Sequence, residues 1–169
     1  YGEAVEAAHS LVRLPTHQYM AIPMVTRAAV MSWLVETNPL KKDRGVIALA
    51  ADLVERFDGE VPQDLDDLVT LRGVGRKTAS VVLAEVWGLP AIAVDTHVAR
   101  VTNRLGITAS DDPVKIEHEL RALIRREDWA GVSMRFIQFG REVCDARRPR
   151  CWECPLADRC RYEPKAVAP

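Results

Sequence analysis

Leu71-Arg72-Gly73-Val74-Gly75-Arg76-Lys77-Thr78-Ala79 decides how this chain folds. A short helical stretch from Asp64 to Thr70 precedes it, and a longer one, from about Arg76 to Trp87, follows. Two glycines permit a tight, positive-φ turn, and without side chains they let backbone N–H groups approach an anion at the next helix's N-terminus. Val74 is the apolar plug that seats the turn in a core. A Gly-x-Gly turn alone can be mere connection. Leu71 before it and Arg76-Lys77-Thr78 after it favour contact with a nucleic-acid phosphate.

The surrounding periodicity is helical, so an all-helical protein is expected. Arg44 to Phe57 repeats apolar residues at helical spacing and stops at Asp58-Gly59, a C-terminal signal. Pro62 introduces the Asp64–Thr70 helix, whose early Asp residues suit the helix dipole. Further helices are expected from Asp95 to near Gly106, from Pro113 to Arg126, and from Gly131 into Cys144. At 169 residues, 48% hydrophobic, the chain can bury one or two cores. No run approaches the roughly 20 apolar residues of a membrane helix. With 23 Lys and Arg against 24 Asp and Glu, bulk charge does not hold a nucleic acid; backbone amides and local arginines would have to. Tyr1 is not an initiator methionine, so native residues, including a targeting segment, are expected to precede it.

The only cysteines, Cys144, Cys151, Cys154 and Cys160, are spaced Cys-x6-Cys-x2-Cys-x5-Cys. A compact, irregular run with a single Cys-x2-Cys suits a 4Fe-4S cluster. Structural zinc, which more often uses two Cys-x2-4-Cys knuckles, is the rival. Two disulfides would need an oxidising compartment, and Tyr1 to Ser10 lacks an apolar signal core. From Arg141 to Lys165 seven basic residues face five acidic ones, and four thiolates around a 2+ core would add about two negative charges. The segment is therefore positive only at its arginine tips. Arg147, Arg148 and Arg150 lie between the first two cysteines, where a loop pinned at both ends could present them to phosphates at little ordering cost. The plainer alternative is a solvated basic loop.

Lys77 falls in the first turn after the glycine turn, where the helix dipole and partial burial favour a neutral, nucleophilic amine. It could equally be an ordinary phosphate contact. Ala91-Ile92-Ala93-Val94-Asp95-Thr96-His97 is an apolar run ending in an acid at a helix start. Asp95 there is at least an N-cap, and a cap can also be a catalytic carboxylate.

Four segments, Gly59-Glu60-Val61-Pro62, Gly73 to Ala79, Val94-Asp95-Thr96-His97 and the cysteine run, stand together as in one known family. From Lys42 to Tyr162 the chain resembles the endonuclease III family of helix-hairpin-helix-GPD DNA glycosylases and AP lyases. The resemblance implies an all-α, two-lobed fold: a six-helix barrel over residues 20–126, with the hairpin motif at about 65–87, and a terminal lobe of residues 1–19 and 127–169 carrying the cluster loop 144–160. It implies Lys77 as the Schiff-base lysine, Asp95 as the essential carboxylate, and the four cysteines as 4Fe-4S ligands. Gly73, Val74, Gly75, Arg76 and Thr78 of the hairpin and Arg147, Arg148 and Arg150 of the cluster loop are the implied DNA contacts. The implied function is base excision repair, removing oxidised pyrimidines and cutting abasic sites by β-elimination. The implied partner is double-stranded DNA with damaged bases or abasic sites, acted on by a monomer in the bacterial cytoplasm and nucleoid, with no membrane.

The resemblance weakens before Lys42. The family's Ser-Ala-Gln-x-Thr-Asp string is absent, so Gln18 is the candidate to fill the gap left by an extruded base, and Leu40 the candidate wedge. Arg72 stands where the family commonly has proline, a change the glycines should make tolerable. The rivals are an adenine-type monofunctional glycosylase of the same superfamily, which lacks the lysine, and a non-catalytic DNA-binding module. Histidines 9, 17 and 118 show no metal spacing.

Overall fold

A computed structural model describes residues 42–168. Gln18 and Leu40 lie outside the described residues. Among these residues the regular structure is helical, with no strand. They form two compact units divided between Ala91 and Ile92.

The first unit begins with α1, Lys42–Phe57, which ends where Asp58 and Gly59 turn to positive φ and Gly59 N–H closes onto Leu53 O at 2.9 Å. α2, Leu65–Val69, is capped by Asp64, whose Oδ1 accepts from the Asp66 and Asp67 amides. α3, Arg76–Val81, passes into a π-helical turn, Val82–Val86. The sequence predicts one regular helix to Trp87. The wider turn instead accompanies burial of three consecutive residues, Val82, Leu83 and Ala84, which α-helical spacing would spread over much of the circumference. Leu49, Leu53, Leu68, Leu71, Val74, Ala79 and Val82 make the core.

Arg72 contributes more than tolerance. Its backbone N–H donates to Asp52 Oδ2 at 2.8 Å, and its guanidinium reaches Oδ1 at 2.6 Å, tying the hairpin to α1. Arg56 adds a second tie, donating to Thr70 Oγ1 at 2.7 Å. A proline at 72 would have neither N–H nor guanidinium to offer. The Arg72 hydrogen bonds hold the Asp52 carboxyl well below the usual carboxylate range, at about 2. A depressed carboxylate contributes stability that is present above its unfolded pKa and lost as pH falls through the folded one. Between about pH 4 and about pH 2 the melting temperature should therefore fall more steeply in the wild type than in Asp52→Asn, which starts lower at neutral pH. Parallel acid limbs would show that the pair contributes nothing.

The second unit contains α4, Thr96–Leu105; α5, Pro113–Leu123; and α6, Trp129–Glu142. Val98, Val101 and Leu105 of α4 are buried on one face with Ile116 and Leu120 of α5 and Val132, Phe136 and Phe139 of α6. Leu156, from the cysteine run, joins them. One core therefore crosses residue 126, where the resemblance draws a lobe boundary. α5 stops at Leu123 rather than Arg126 because Ile124 turns extended and is itself buried, with its carbonyl accepting from Trp129 Nε1 at 2.9 Å. α6 is irregular at Ala130 and at Gly131, φ +84°, and regular beyond. α4 ends at Gly106, φ +73°, where a Cβ would collide with the Arg161 side chain.

Candidate functional site

The hairpin turn behaves differently at its two glycines. Gly73 has φ +85°, which L side chains rarely adopt, but Gly75 sits at φ −91°, open to any residue. A Cβ at Gly75 would meet nothing within 4 Å. Among the described residues neither strain nor packing demands glycine there; the bare backbone is exposed instead. As N-cap of α3, Gly75 also gives the first-turn amides no side-chain acceptor. Val74 is buried, as the plug reading expects, and its N–H donates to Leu71 O at 3.1 Å. Lys77 is exposed in the first turn of α3, while Arg76 and Thr78 are half-buried.

Asp95 caps α4: its Oδ1 accepts from the amides of His97 at 2.8 Å and Val98 at 2.9 Å. Such a cap contributes about 1 kcal/mol. Its other oxygen accepts no hydrogen bond among the described residues. The carboxylate is half-buried, so a single residue both fixes the helix start and keeps one oxygen available. His97 packs locally: its ring and Arg100 lie so close to Gly140 that a Cβ there would be 3.1 to 3.2 Å from them. Arg100 donates to Gly140 O at 2.9 Å and to Cys144 O at 3.2 Å, joining α4 to the end of α6 where the cysteine run begins.

Cys144, Cys151, Cys154 and Cys160 line one cavity of about 340 Å³, counting its solvent mouth, with Arg104, Leu105, Phe139, Tyr162 and Lys165. Short 3-10 turns at Cys151–Glu153 and Ala157–Arg159 set the last three cysteines. Burial pushes the Cys154 and Cys160 thiols up, and the neighbouring cysteines push the same way. Four thiolates so placed repel one another unless a cationic core draws them together. Among the described residues no three His, Cys, Asp or Glu side chains form a group that could hold a single ion. Four thiol donors lining one cavity are the donor set that an iron–sulfur cluster takes.

Between the first two cysteines the backbone is tightly tied. Arg150 N–H donates to Val143 O at 2.8 Å, and Asp145 Oδ1 accepts from the amides of Arg147 at 2.8 Å and Arg148 at 2.9 Å. Those amides hold the Asp145 carboxyl below its ordinary value. The arginines are not equivalent. Arg150 pairs with Glu153 at 2.7 Å and donates to Glu142 O, whereas Arg147 and Arg148 are exposed and their guanidinium groups have no partner among the described residues.

Residues 56–85 match the model of the helix-hairpin-helix motif, and residues 144–160 match the iron-sulfur binding domain of endonuclease III. The class is thus a helix-hairpin-helix protein with an iron–sulfur binding domain. A solved structure of a trapped endonuclease III-DNA covalent intermediate is 39% identical, with a TM-score of 0.70 over 91% of this chain and 68% of that one. The chain belongs to the endonuclease III family. Endonuclease III of Synechocystis sp. is 49% identical over 120 residues, 70% of this chain and 55% of that protein. The Bacillus subtilis enzyme is 50% identical over 121 residues, again 55% of its length. The chain therefore spans about half the length of the curated relatives it matches. A thermostable thymine-DNA glycosylase, 19% identical with a TM-score of 0.66, shares the fold alone. The group that the four thiols fit is an iron–sulfur cluster, 4Fe-4S in this family.

Sequence reasoning missed Arg104, Asp145 and Lys165. Arg100 and Arg104 recur four residues apart on a helix whose other face is apolar, a signal that marks a polar face but names no partner.

Proposed function

We propose that this chain removes damaged pyrimidines from double-stranded DNA and cuts the resulting abasic site, acting as a monomer in base excision repair. The observation that carries this is an exposed lysine directly after an open glycine turn, in a chain that also has a capping acid with one oxygen that accepts no hydrogen bond among the described residues. The hairpin amides at Gly75 and beyond hold a phosphate, and Arg147 and Arg148 hold others, so the grip reads no sequence. The lesion nucleotide leaves the stack, at lower cost where damage has weakened it.

The Lys77 Nζ lone pair then attacks the anomeric carbon, the bond from sugar to base breaks, and the base departs with that electron pair. Asp95 takes, directly or through water, the proton that the attacking amine must lose and stabilises positive charge on the sugar. The bond from that carbon to the ring oxygen then breaks, the oxygen staying on the sugar as a hydroxyl that takes up a proton, and the imine forms; at a pre-formed abasic site the carbinolamine loses water instead. Removal of a proton from the adjacent sugar carbon expels the 3′ phosphate and cuts the strand. When bound, the cluster supplies four iron–thiolate bonds that fix the loop, and Cys144, Cys151, Cys154 and Cys160 would hold it.

Borohydride reduces an imine to a stable amine. Incubation with abasic-site duplex and borohydride should therefore leave one covalent protein–DNA adduct, and its absence would overturn the lyase reading. An adenine-type glycosylase without the lysine chemistry would release base and form no adduct. Separately, anaerobically purified protein should contain about four iron and four sulfide per chain. Stoichiometric zinc without labile sulfide would exclude the cluster.

A further inference from the structure

We propose that Arg104 is the strut that shapes the phosphate-gripping loop, a positioning residue for Arg147 and Arg148; the proposal rests on the DNA-binding reading above. Arg104 lies in the last turn of α4, and its guanidinium donates to Asp145 O at 2.6 Å and to Ala146 O at 2.8 Å. Its contact with the Cys144 sulfur is longer, 3.5 Å. The guanidinium lies over the Tyr162 ring, 4.3 Å from the centroid, which limits the plane it can take. Cys160 Sγ is 3.3 Å from the Arg104 carbonyl, so the residue touches the run at both its first and last cysteines.

A cation serving only to offset thiolate charge would not need a fork. The two short bonds go instead to consecutive backbone carbonyls immediately after Cys144. The next link is the Asp145 carboxylate, which accepts from the amides of Arg147 and Arg148. From Arg104 to the two exposed arginines there is thus an unbroken run: helix, guanidinium, carbonyl pair, Asp145 carboxylate, arginine amides. Lysine at 104 would keep the charge but cannot reach two carbonyls with a planar fork.

The test measures binding of the cluster-containing protein to undamaged duplex DNA as a function of salt, with iron and sulfide assayed in each preparation. Each lost phosphate contact lowers the slope of log affinity against log salt by about 0.9, so R147A/R148A should lower it by about 1.8. Arg104→Lys should reproduce most of that fall while keeping wild-type iron and sulfide. A wild-type slope in Arg104→Lys, with the slope reduced in R147A/R148A, overturns the strut alone. An unchanged slope in R147A/R148A removes the loop's grip, and the strut falls with it. If Arg104→Lys comes without its cluster, Asp145→Ala decides, since it breaks only the carboxylate link. A reduced slope in Asp145→Ala supports the strut, and an unchanged one overturns it.

Discussion

Lys77→Gln should yield no borohydride-trapped adduct and no strand cleavage, while its affinity for abasic-site duplex stays close to wild type. Glutamine keeps a polar side chain, one atom shorter and uncharged, but its amide nitrogen is not nucleophilic, so covalent chemistry is lost outright. Lys77 is exposed and seals no core, so the melting temperature should hardly change. Binding persists because the hairpin amides and Arg147 and Arg148 are untouched. Single-turnover trapping, a melting curve and a binding isotherm on one preparation check all three. Near-wild-type trapping would assign the nucleophile elsewhere.

Asp95→Asn is the second large effect, on rate and not on fold. Asparagine caps a helix about as well as aspartate, so α4 keeps its start and the amides of His97 and Val98 keep their acceptor. What disappears is a group that can accept a proton and supply negative charge, worth about 10² to 10⁴ in rate. The single-turnover rate should fall by that factor with the melting temperature nearly unchanged. Asp95→Ala should lose a similar factor and also about 1 kcal/mol of stability with the cap. Equal rates in Asp95→Asn and wild type would reduce Asp95 to a cap. A rate loss that tracks stability across the two variants would do the same.

Much of the second unit's architecture was legible locally. Val98, Val101 and Leu105 recur at helical spacing and are buried on one face, and Gly106 stops α4 where left-handed backbone is needed. Asp64 and Asp95 cap their helices because a short side chain with an acceptor oxygen meets unpaired amides there, a relation within three residues. The π-helical turn at Val82–Val86 was not legible, because it depends on which residues the neighbouring core buries. Nor was the difference between Arg150 and its neighbours: three arginines in one loop look alike until Glu142 and Glu153 are seen to hold one of them.

By itself the sequence determined the helices, the glycine turn with its lysine, the capping acid and the convergence of four cysteines. Each follows from chemistry within a few residues or from a short, readable spacing. Only the tertiary structure decided that Arg72 clamps Asp52, twenty residues away, with its N–H as well as its side chain. The same holds for Arg104, which grips carbonyls some forty residues further on. The physical reason is that a charged side chain's partner is set by where remote backbone is brought, and no periodicity in the chain records that distance.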